Sequence, residues 1–433
     1  MKPRLLLIGL VLVVVSCASR PTPQVTPAGP PNVDPVGLRP LRAERGDLHL
    51  VPSEADRVTH PVAQRFIEGR EAYWNRDTPA AVSAFEKVLE GDWPKLTPNQ
   101  RKMLLLQSLE ESGNWNEAAT WYPRLGLEES HSARLRYART MAGFPARSLE
   151  FVADAPPIPF TLQRDQLVII EARMEGRPVR LMVDTGFSLT FVTADFARAA
   201  GLTMTDEIIR MSDSNDADSE GRLARLSTLE LGGLTVRNLP VVSSPPRLLR
   251  KLAGPIDGVL GWDVLRDLVV TWDFPARRMH LRASDGAGTG AATAAAEPNL
   301  SGRQMPVIAV TSASGQPLDL FLDTGFASRT FGLELNRNAD ILASKVDLSK
   351  FHFAWSPGIT FGMHSFRVRW PRRARPFHFH FAGHLFEVPQ ATLTREIRIH
   401  ERLATVDGVV GNAPFLSGRL TLDGPHRRAT FER

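Results

Sequence analysis

The chain has 433 residues, of which 43% are hydrophobic and 23% are charged, and its formal net charge is +5 at pH 7. This composition excludes an intrinsically disordered or collagen-like chain and indicates a globular protein. The length allows about three domains. The positive charge would also suit a nucleic-acid-binding protein, but no recognition motif accompanies it, so we expect no nucleic acid among the partners.

The first 17 residues predict an export signal. Two basic residues precede an apolar run that is too short to span a membrane as a helix. The run ends in Val-Val-Ser-Cys at Cys17, the only cysteine. This ending resembles the lipobox of bacterial lipoproteins, which implies a lipidated Cys17 and a membrane anchor in the cell envelope. Ala18 and Ser19 follow, and the absence of an aspartate there resembles lipoproteins on the periplasmic side of the outer membrane. An ordinary signal peptide with an incidental cysteine is the alternative.

Residues 18–58 are rich in proline and arginine and show no sustained period, which predicts a flexible tether. Residues 59–155 show helical periodicity instead. Two stretches, 65–94 and 101–127, each predict a helix, a short polar turn and a second helix. The region is therefore expected to be an all-α domain built from paired helices.

These two helical units resemble tetratricopeptide repeats. Gly69, Ala81 and Phe85 occupy small, small and aromatic positions, and Ala81 and Phe85 recur as Ala118 and Tyr122. The resemblance implies a paired-helix array that presents a surface to a protein partner. A plain helical domain packed on the rest of the chain is the alternative.

After Pro156 the sequence changes to short alternating runs typical of β-strands. Residues 285–299 consist mainly of small residues without an apolar period, which predicts a linker. It divides the β region into a first lobe, 156–284, and a second lobe, 300–433. The expected fold is therefore multidomain, with a helical-repeat-like domain followed by two mainly-β lobes.

Each lobe carries the same motif. Asp184-Thr185-Gly186 and Asp323-Thr324-Gly325 both follow an apolar strand, and each motif is followed later by two apolar residues and a glycine, Gly261 in one lobe and Gly411 in the other. Such internal repetition indicates a duplicated unit. Two carboxyl groups that share one site do not both ionise easily, so one can act as a base while the other acts as an acid.

The repeated motif resembles that of retropepsin-like aspartic proteases, over residues 157 to 433. The resemblance implies that the lobes pair within one chain, as in pepsin-like enzymes, and that Asp184 and Asp323 activate a water molecule that cleaves a peptide or protein substrate. No cofactor and no metal are implied. Thr185 and Thr324 would exchange hydrogen bonds between the lobes, Gly186 and Gly325 would permit the sharp turns, and Gly261 and Gly411 would follow strands threaded beside the loops.

One position departs from the family. The residue after Asp-Thr-Gly is usually alanine or serine, whereas here it is Phe187 in the first lobe and Phe326 in the second. The change removes a possible hydrogen bond to the carboxylate and adds bulk beside it. A catalytically inactive peptide-binding or scaffold protein is therefore the alternative function, and a protease whose lobes pair between chains is a further one.

Two insertions distinguish the lobes. Residues 211–222 form a polar, glycine-containing tip between apolar runs, which predicts a flap, meaning a β-hairpin that covers the substrate; a solvated loop is the alternative. In the second lobe His378 and His380 alternate with phenylalanine, near His384. Alternation of this kind predicts a half-buried strand with a polar face, and a metal site is the alternative.

Overall fold

The structure is a computed structural model of the whole chain. It describes residues 60–74, 77–152, 155–212, 218–245, 253–283, 300–301, 306–326, 332–336, 346–353, 358–361, 366–369, 372–374, 376–394 and 406–433. Cys17, the tether of residues 18–58 and the linker of residues 285–299 lie outside these ranges. None of the helices within them is long and apolar enough to cross a membrane.

The described residues from 60 to 142 form five helices that are separated by short segments of the chain. The helices are α1 (Pro61–Trp74), α2 (Thr78–Glu90), α3 (Pro98–Glu111), α4 (Trp115–Arg124) and α5 (Ser132–Ala142). Consecutive helices pack against each other. At Gly69 of α1 a Cβ atom would lie 2.7 Å from Cε1 of Phe85, so glycine allows α1 and α2 to approach closely. That these pairs are tetratricopeptide repeats stays a prediction.

The rest of the described chain is mainly β, as expected for two β lobes. The elements of the first lobe are β1 (Ser148–Phe151), β2 (Ile158–Gln163), β3 (Leu167–Met174), β4 (Arg177–Val183), β5 (Phe191–Thr193), α6 (Ala194–Ala199), β6 (Met204–Ser212), β7 (Asp218–Leu231), β8 (Leu234–Ser244), β9 (Gly258–Leu260), α7 (Trp262–Leu265), β10 (Val269–Asp273) and β11 (Arg278–Arg282). The strand order is β11-β2-β3-β4-β9-β5-β8-β7-β6. β1 pairs with β8, so this sheet includes a strand that precedes residue 156.

The second lobe repeats the central part of this arrangement. Its strands are β12 (Leu300–Ser301), β13 (Val307–Ser312), β14 (Pro317–Leu322), β15 (Leu333–Asn336), β16 (His352–Phe353), β17 (Gly358–Phe361), β18 (Phe366–Arg369), β19 (Arg372–Ala374), β20 (Phe377–Phe381), β21 (His384–Val388), β22 (Ala391–Thr394), β23 (Gly408–Val410), β24 (Arg419–Asp423) and β25 (Arg428–Glu432), with 3₁₀ turns at Leu348–Lys350 and Ala413–Phe415. In both lobes the strand before the Asp-Thr-Gly motif pairs in parallel with a three-residue strand, β4 with β9 and β14 with β23.

The two lobes of this chain pair with each other. β10 of the first lobe runs antiparallel to β24 of the second, which forms an interlobe sheet in the order β25-β24-β10-β11. Thr271 lies opposite Thr421, and their Oγ1 atoms are 2.8 Å apart. One continuous apolar core contains buried side chains from both lobes, including Trp272 and Phe431. The duplicated halves are thereby joined across a shared sheet and a shared core.

The histidine-containing strand β20 has one buried and one polar face. Phe377, Phe379 and Phe381 are buried, whereas His378 and His380 alternate with them on the outer face. His378 Nε2 lies 3.3 Å from Glu387 Oε2 on β21. Among the residues described, no group of three or more histidine, cysteine, aspartate or glutamate side chains is arranged to hold a metal ion.

Candidate active site

Each Asp-Thr-Gly loop is positioned by the short strand beside it. The N–H of Asp184 donates to Leu260 O at the end of β9 (3.0 Å), and the N–H of Asp323 donates to Val410 O at the end of β23 (2.9 Å). The last three residues of β4 and of β14 are apolar and buried, and the aspartate follows directly after them in each lobe. Both aspartates therefore lie where a buried strand ends.

The structure brings the two aspartates together. The carboxyl groups of Asp184 and Asp323 hydrogen bond to each other. Each Oδ1 also accepts the N–H of the glycine two residues later in its own loop, Gly186 at 2.8 Å and Gly325 at 2.9 Å. Asp184 is only 6% exposed and Asp323 is half-buried, so solvent screens the charge on Asp184 weakly.

Both glycines are required by this close approach. A Cβ atom on Gly186 would lie 2.8 Å from Asp323 Oδ1 and 2.9 Å from Asp184 Oδ1, so the two carboxylate oxygens lie close to the same point. A Cβ atom on Gly325 would overlap the carboxyl group of Asp184. Each loop therefore leaves space for the aspartate of the opposite lobe, and any side chain at either position would occupy it.

The threonines lock the loops to each other. The N–H of Thr185 donates to Thr324 Oγ1 (3.0 Å), and the N–H of Thr324 donates to Thr185 Oγ1 (3.1 Å). Each hydroxyl then donates across the lobes, from Thr185 to Leu322 O (2.5 Å) and from Thr324 to Val183 O (3.0 Å). All four bonds cross between the lobes and are buried, so the separation of the aspartates depends on them.

The two carboxyl groups differ in their affinity for a proton. Burial raises the pKa of Asp323 well above its usual value, and the charge on Asp184 and the hydrogen bond to Asp184 raise it further. Burial also raises the pKa of Asp184, but hydrogen bonds from Gly186, Asp323 and Gly325 oppose the rise. Both shifts favour a protonated carboxyl group, so the pair holds one proton between Asp184 and Asp323 and titrates as a unit.

Gly261 and Gly411 follow the strands beside the loops. A Cβ atom on Gly261 would lie 2.9 Å from Phe187 O, and one on Gly411 would lie 2.5 Å from Phe326 O. Both glycines therefore allow the backbone after β9 or β23 to touch the backbone just after the Asp-Thr-Gly motif. The two phenylalanines stand in equivalent positions relative to these glycines.

Phe187 and Phe326 pack symmetrically on their own lobes. Phe187 contacts a small apolar cluster that contains Met182 and Val259, whereas Phe326 contacts one that contains Phe321 and Val409. Their N–H groups donate to the backbone O of Asp184 (3.2 Å) and Asp323 (3.0 Å). Both rings therefore take part in packing beside the loops, while the carboxyl groups keep their bonds to Gly186 and Gly325.

Sequence reasoning missed a third tie between the lobes. The side-chain Nδ2 of Asn412 donates to Gln166 O in the first lobe (2.8 Å) and to Thr324 O in the second (3.1 Å), and Asn412 is fully buried. The one available signal was a break in the repeat, since Trp262 follows the glycine in the first lobe and Asn412 follows it in the second.

A buried carboxyl group beside the first loop was also missed. Asp263 Oδ1 accepts from Thr190 Oγ1 (2.9 Å), and Arg147 donates to the backbone O of Asp263 and to the carboxylate of Asp267. Burial raises the pKa of Asp263, and the contact with Thr190 and the positive charges of Arg147 and Arg266 oppose the rise. These contacts connect Thr190, in the segment that follows the first Asp-Thr-Gly motif, to Asp263 on α7.

Comparison with known proteins covers part of this site. A family model described as aspartyl protease matches residues 170–264, from β3 through α7, a range that contains Asp184 and Gly261. This part of the chain is an aspartic protease-like domain. The second lobe, with Asp323, lies outside the matched range. A search of curated proteins gave no match.

Proposed function

We propose that the protein is an aspartic endopeptidase in which Asp184 and Asp323 together activate a water molecule. One observation carries the proposal: the carboxyl groups of Asp184, which is buried, and Asp323, which is half-buried, hydrogen bond to each other on loops that are locked by reciprocal threonine bonds. The aspartyl protease match to residues 170–264 supports the same class of chemistry. The substrate is a peptide or protein, and the reaction requires neither a metal nor a cofactor.

The proposed mechanism gives the ionised role to Asp184 and the protonated role to Asp323. Ionised Asp184 accepts a proton from the water molecule, and the oxygen of this water attacks the carbonyl carbon of the peptide. At the same time Asp323 donates its proton to the carbonyl oxygen of the peptide. The resulting tetrahedral diol collapses when Asp184 passes the proton to the leaving nitrogen and the C–N bond breaks. Asp323 recovers a proton from a diol hydroxyl, so each turnover consumes one water and leaves no covalent intermediate.

A peptide-cleavage assay tests this function. Wild-type protein should cleave a mixed peptide library most rapidly at acidic pH, and Asp184→Asn or Asp323→Asn should lower kcat/KM by about 10²–10⁴-fold, the usual contribution of general acid–base catalysis. The matched control is Asp195→Asn, because Asp195 is an exposed carboxylate on α6 with an ion pair to Arg198. Cleavage that is unchanged in both dyad variants would refute the proposal.

A peptide-binding protein without turnover is the second candidate, and the aromatic residues Phe187 and Phe326 favour it because they replace the small residues of the family. A peptide that binds wild type and Asp184→Asn with equal affinity, and that wild type does not cleave, would support this candidate.

We also propose that the protein is exported and anchored through a lipidated Cys17 on the periplasmic side of the outer membrane, with the helical region available to a protein partner. The support is the sequence of the first 17 residues for the anchor, and of Ala18 and Ser19 for the outer membrane. Metabolic labelling with a fatty acid should mark the wild-type protein in the envelope fraction and leave Cys17→Ser unlabelled. A wild-type protein that is released without label would contradict the anchor.

A further inference from the structure

Helix α5 is buried on two sides. Ala133, Tyr137 and Met141 recur every four residues and form one apolar stripe, whereas Leu135 and Ala138 belong to a cluster shared with the other helices. The first stripe does not complete the helical core, because its buried partners are residues of the first β lobe. α5 therefore contacts both the other helices and the first β lobe.

The partner of this stripe is the hairpin formed by β6 and β7. Ile209 of β6 and Leu223 of β7 are fully buried in one cluster with Tyr137 and Met141. Arg136 Nε also lies 3.3 Å from Glu207 Oε2 at the same surface. The hairpin is the one whose tip was predicted as a flap, and residues 213–217 of that tip lie outside the described residues.

The hairpin depends on α5 because β6 is the edge of its sheet. Among the described strands, β6 pairs only with β7. Side chains alternate along the strand, so Glu207 and Ile209 face α5, whereas Ile208 points to the opposite side and is 44% exposed. Within the described sheet β6 is therefore hydrogen-bonded along one edge only, to β7, and α5 packs on the face that carries Glu207 and Ile209.

The same cluster reaches the loop of the first aspartate. Leu189, five residues after Asp184, packs against it. Val242 belongs to the cluster as well, and its N–H donates to Thr190 O (3.0 Å). Thr190 Oγ1 in turn donates to the buried carboxylate of Asp263. The cluster that α5 shares with the hairpin therefore extends to Leu189 in the segment that follows the catalytic motif.

We propose that Tyr137 and Met141 are positioning residues for the reaction, through which the helical region sets the placement of the β6–β7 hairpin and of the Leu189 end of the Asp184 loop. The inference rests on the proposed peptidase function. Loosening the stripe should weaken productive binding of a peptide and leave the chemistry of the dyad intact, because none of the residues of this stripe contacts a carboxyl oxygen of Asp184 or Asp323 among the described contacts.

The test compares two truncations on one helix. Met141→Ala removes an apolar side chain that faces the hairpin, whereas Leu135→Ala removes one of similar size that faces the helices. With active sites titrated by a tight-binding transition-state analogue, Met141→Ala should raise KM by about threefold or more while kcat changes less than about twofold, and Leu135→Ala should change neither. Hydrogen exchange should show faster exchange of the β6 and β7 amides in Met141→Ala alone.

The outcomes separate this inference from the proposed function. Equal KM values and equal exchange in the two variants would overturn the positioning role while peptide cleavage stands. If wild type cleaves no peptide, the peptidase proposal fails, and the exchange comparison then decides alone whether α5 holds the hairpin. Tyr137→Phe serves as the conservative variant and should keep wild-type KM, because it preserves the ring that packs against Trp115 with centroids 5.3 Å apart.

Discussion

In the first lobe the residue after Gly261 is Trp262, which is buried in the common core, whereas the residue after Gly411 in the second lobe is Asn412, which hydrogen bonds into both lobes. The aspartates, threonines and glycines of the two loops are the same and make matching bonds. The residues that are identical in the two lobes are therefore those that bring the two carboxyl groups together around a shared proton. The residues that differ connect the site to the rest of each lobe.

The residues around the two aspartate loops also differ between the lobes. The first lobe carries the hairpin that α5 covers, and its loop is supported from behind by Asp263 and Arg147. The second lobe carries the aspartate with the more strongly raised pKa. The comparison teaches that two loops with matching hydrogen bonds can be held in place by different neighbours in each lobe. The predictions below test the symmetry first and the differences afterwards.

The largest expected effect comes from the loop glycines. Gly325→Ala would place a methyl group inside the Asp184 carboxyl group, so we expect a loss of activity of about 10²-fold or more, as for misplaced catalytic groups. Gly186→Ala should be less severe, because its Cβ would meet the carboxylate oxygens at 2.8–2.9 Å. Steady-state kinetics of the two variants measures the difference. Equal activity in both and in wild type would mean that the carboxyl groups lie farther apart.

Thr185 and Thr324 should contribute equally to the free energy of unfolding, because they make matching hydrogen bonds between the lobes. Thr185→Val or Thr324→Val each removes one hydroxyl that both donates and accepts a buried bond, so each should cost about 2–4 kcal/mol of the free energy of unfolding. Urea denaturation measures the cost. Thr185→Ser is the control and should retain most of the stability, since it keeps the hydroxyl. A cost below about 0.5 kcal/mol for either valine variant would show that the lock is not formed.

Asn412 tests the first difference between the lobes. Asn412→Ala removes two buried donors and leaves Gln166 O and Thr324 O without this partner, so we expect a loss of about 1–3 kcal/mol in the free energy of unfolding. Asn412→Asp has nearly the same shape but lacks the amide donors, and it should be at least as destabilising. Chemical denaturation provides the values. Wild-type stability in both variants would remove Asn412 from the contact between the lobes.

The smallest expected effect is the pH dependence of stability. Because the pKa of Asp323 is raised in the folded state, the folded protein keeps a proton that the unfolded chain releases above its ordinary pKa of about 3.9. The stabilising contribution is complete below that pH and is lost as pH rises through the folded pKa. Asp323→Asn should therefore gain stability relative to wild type as pH increases, which thermal unfolding from acidic to neutral pH measures. A constant difference across that range would contradict the shift.

The repeated motif allowed the central part of the site to be predicted, because it gives the same order of strand, turn and distant glycine in both halves. Asp184, Asp323 and the threonines could be expected to meet once the halves were expected to pair. Asn412 could not be predicted, because its partners become neighbours only after the lobes associate. The periodicity of α5 indicated an apolar face, but Tyr137 and Met141 gave no sign that its partner was a β-hairpin rather than another helix.

The most direct test of the shared proton is a ¹³C NMR titration of the aspartate carboxyl carbons, with Asp184→Asn and Asp323→Asn used to assign the two resonances. The account predicts two coupled transitions, with the proton retained on the pair well above the pH at which an ordinary aspartate ionises, about 3.9. It also predicts that the remaining carboxyl group titrates as a single group in each variant. Two independent transitions near the ordinary value in wild type would contradict the account.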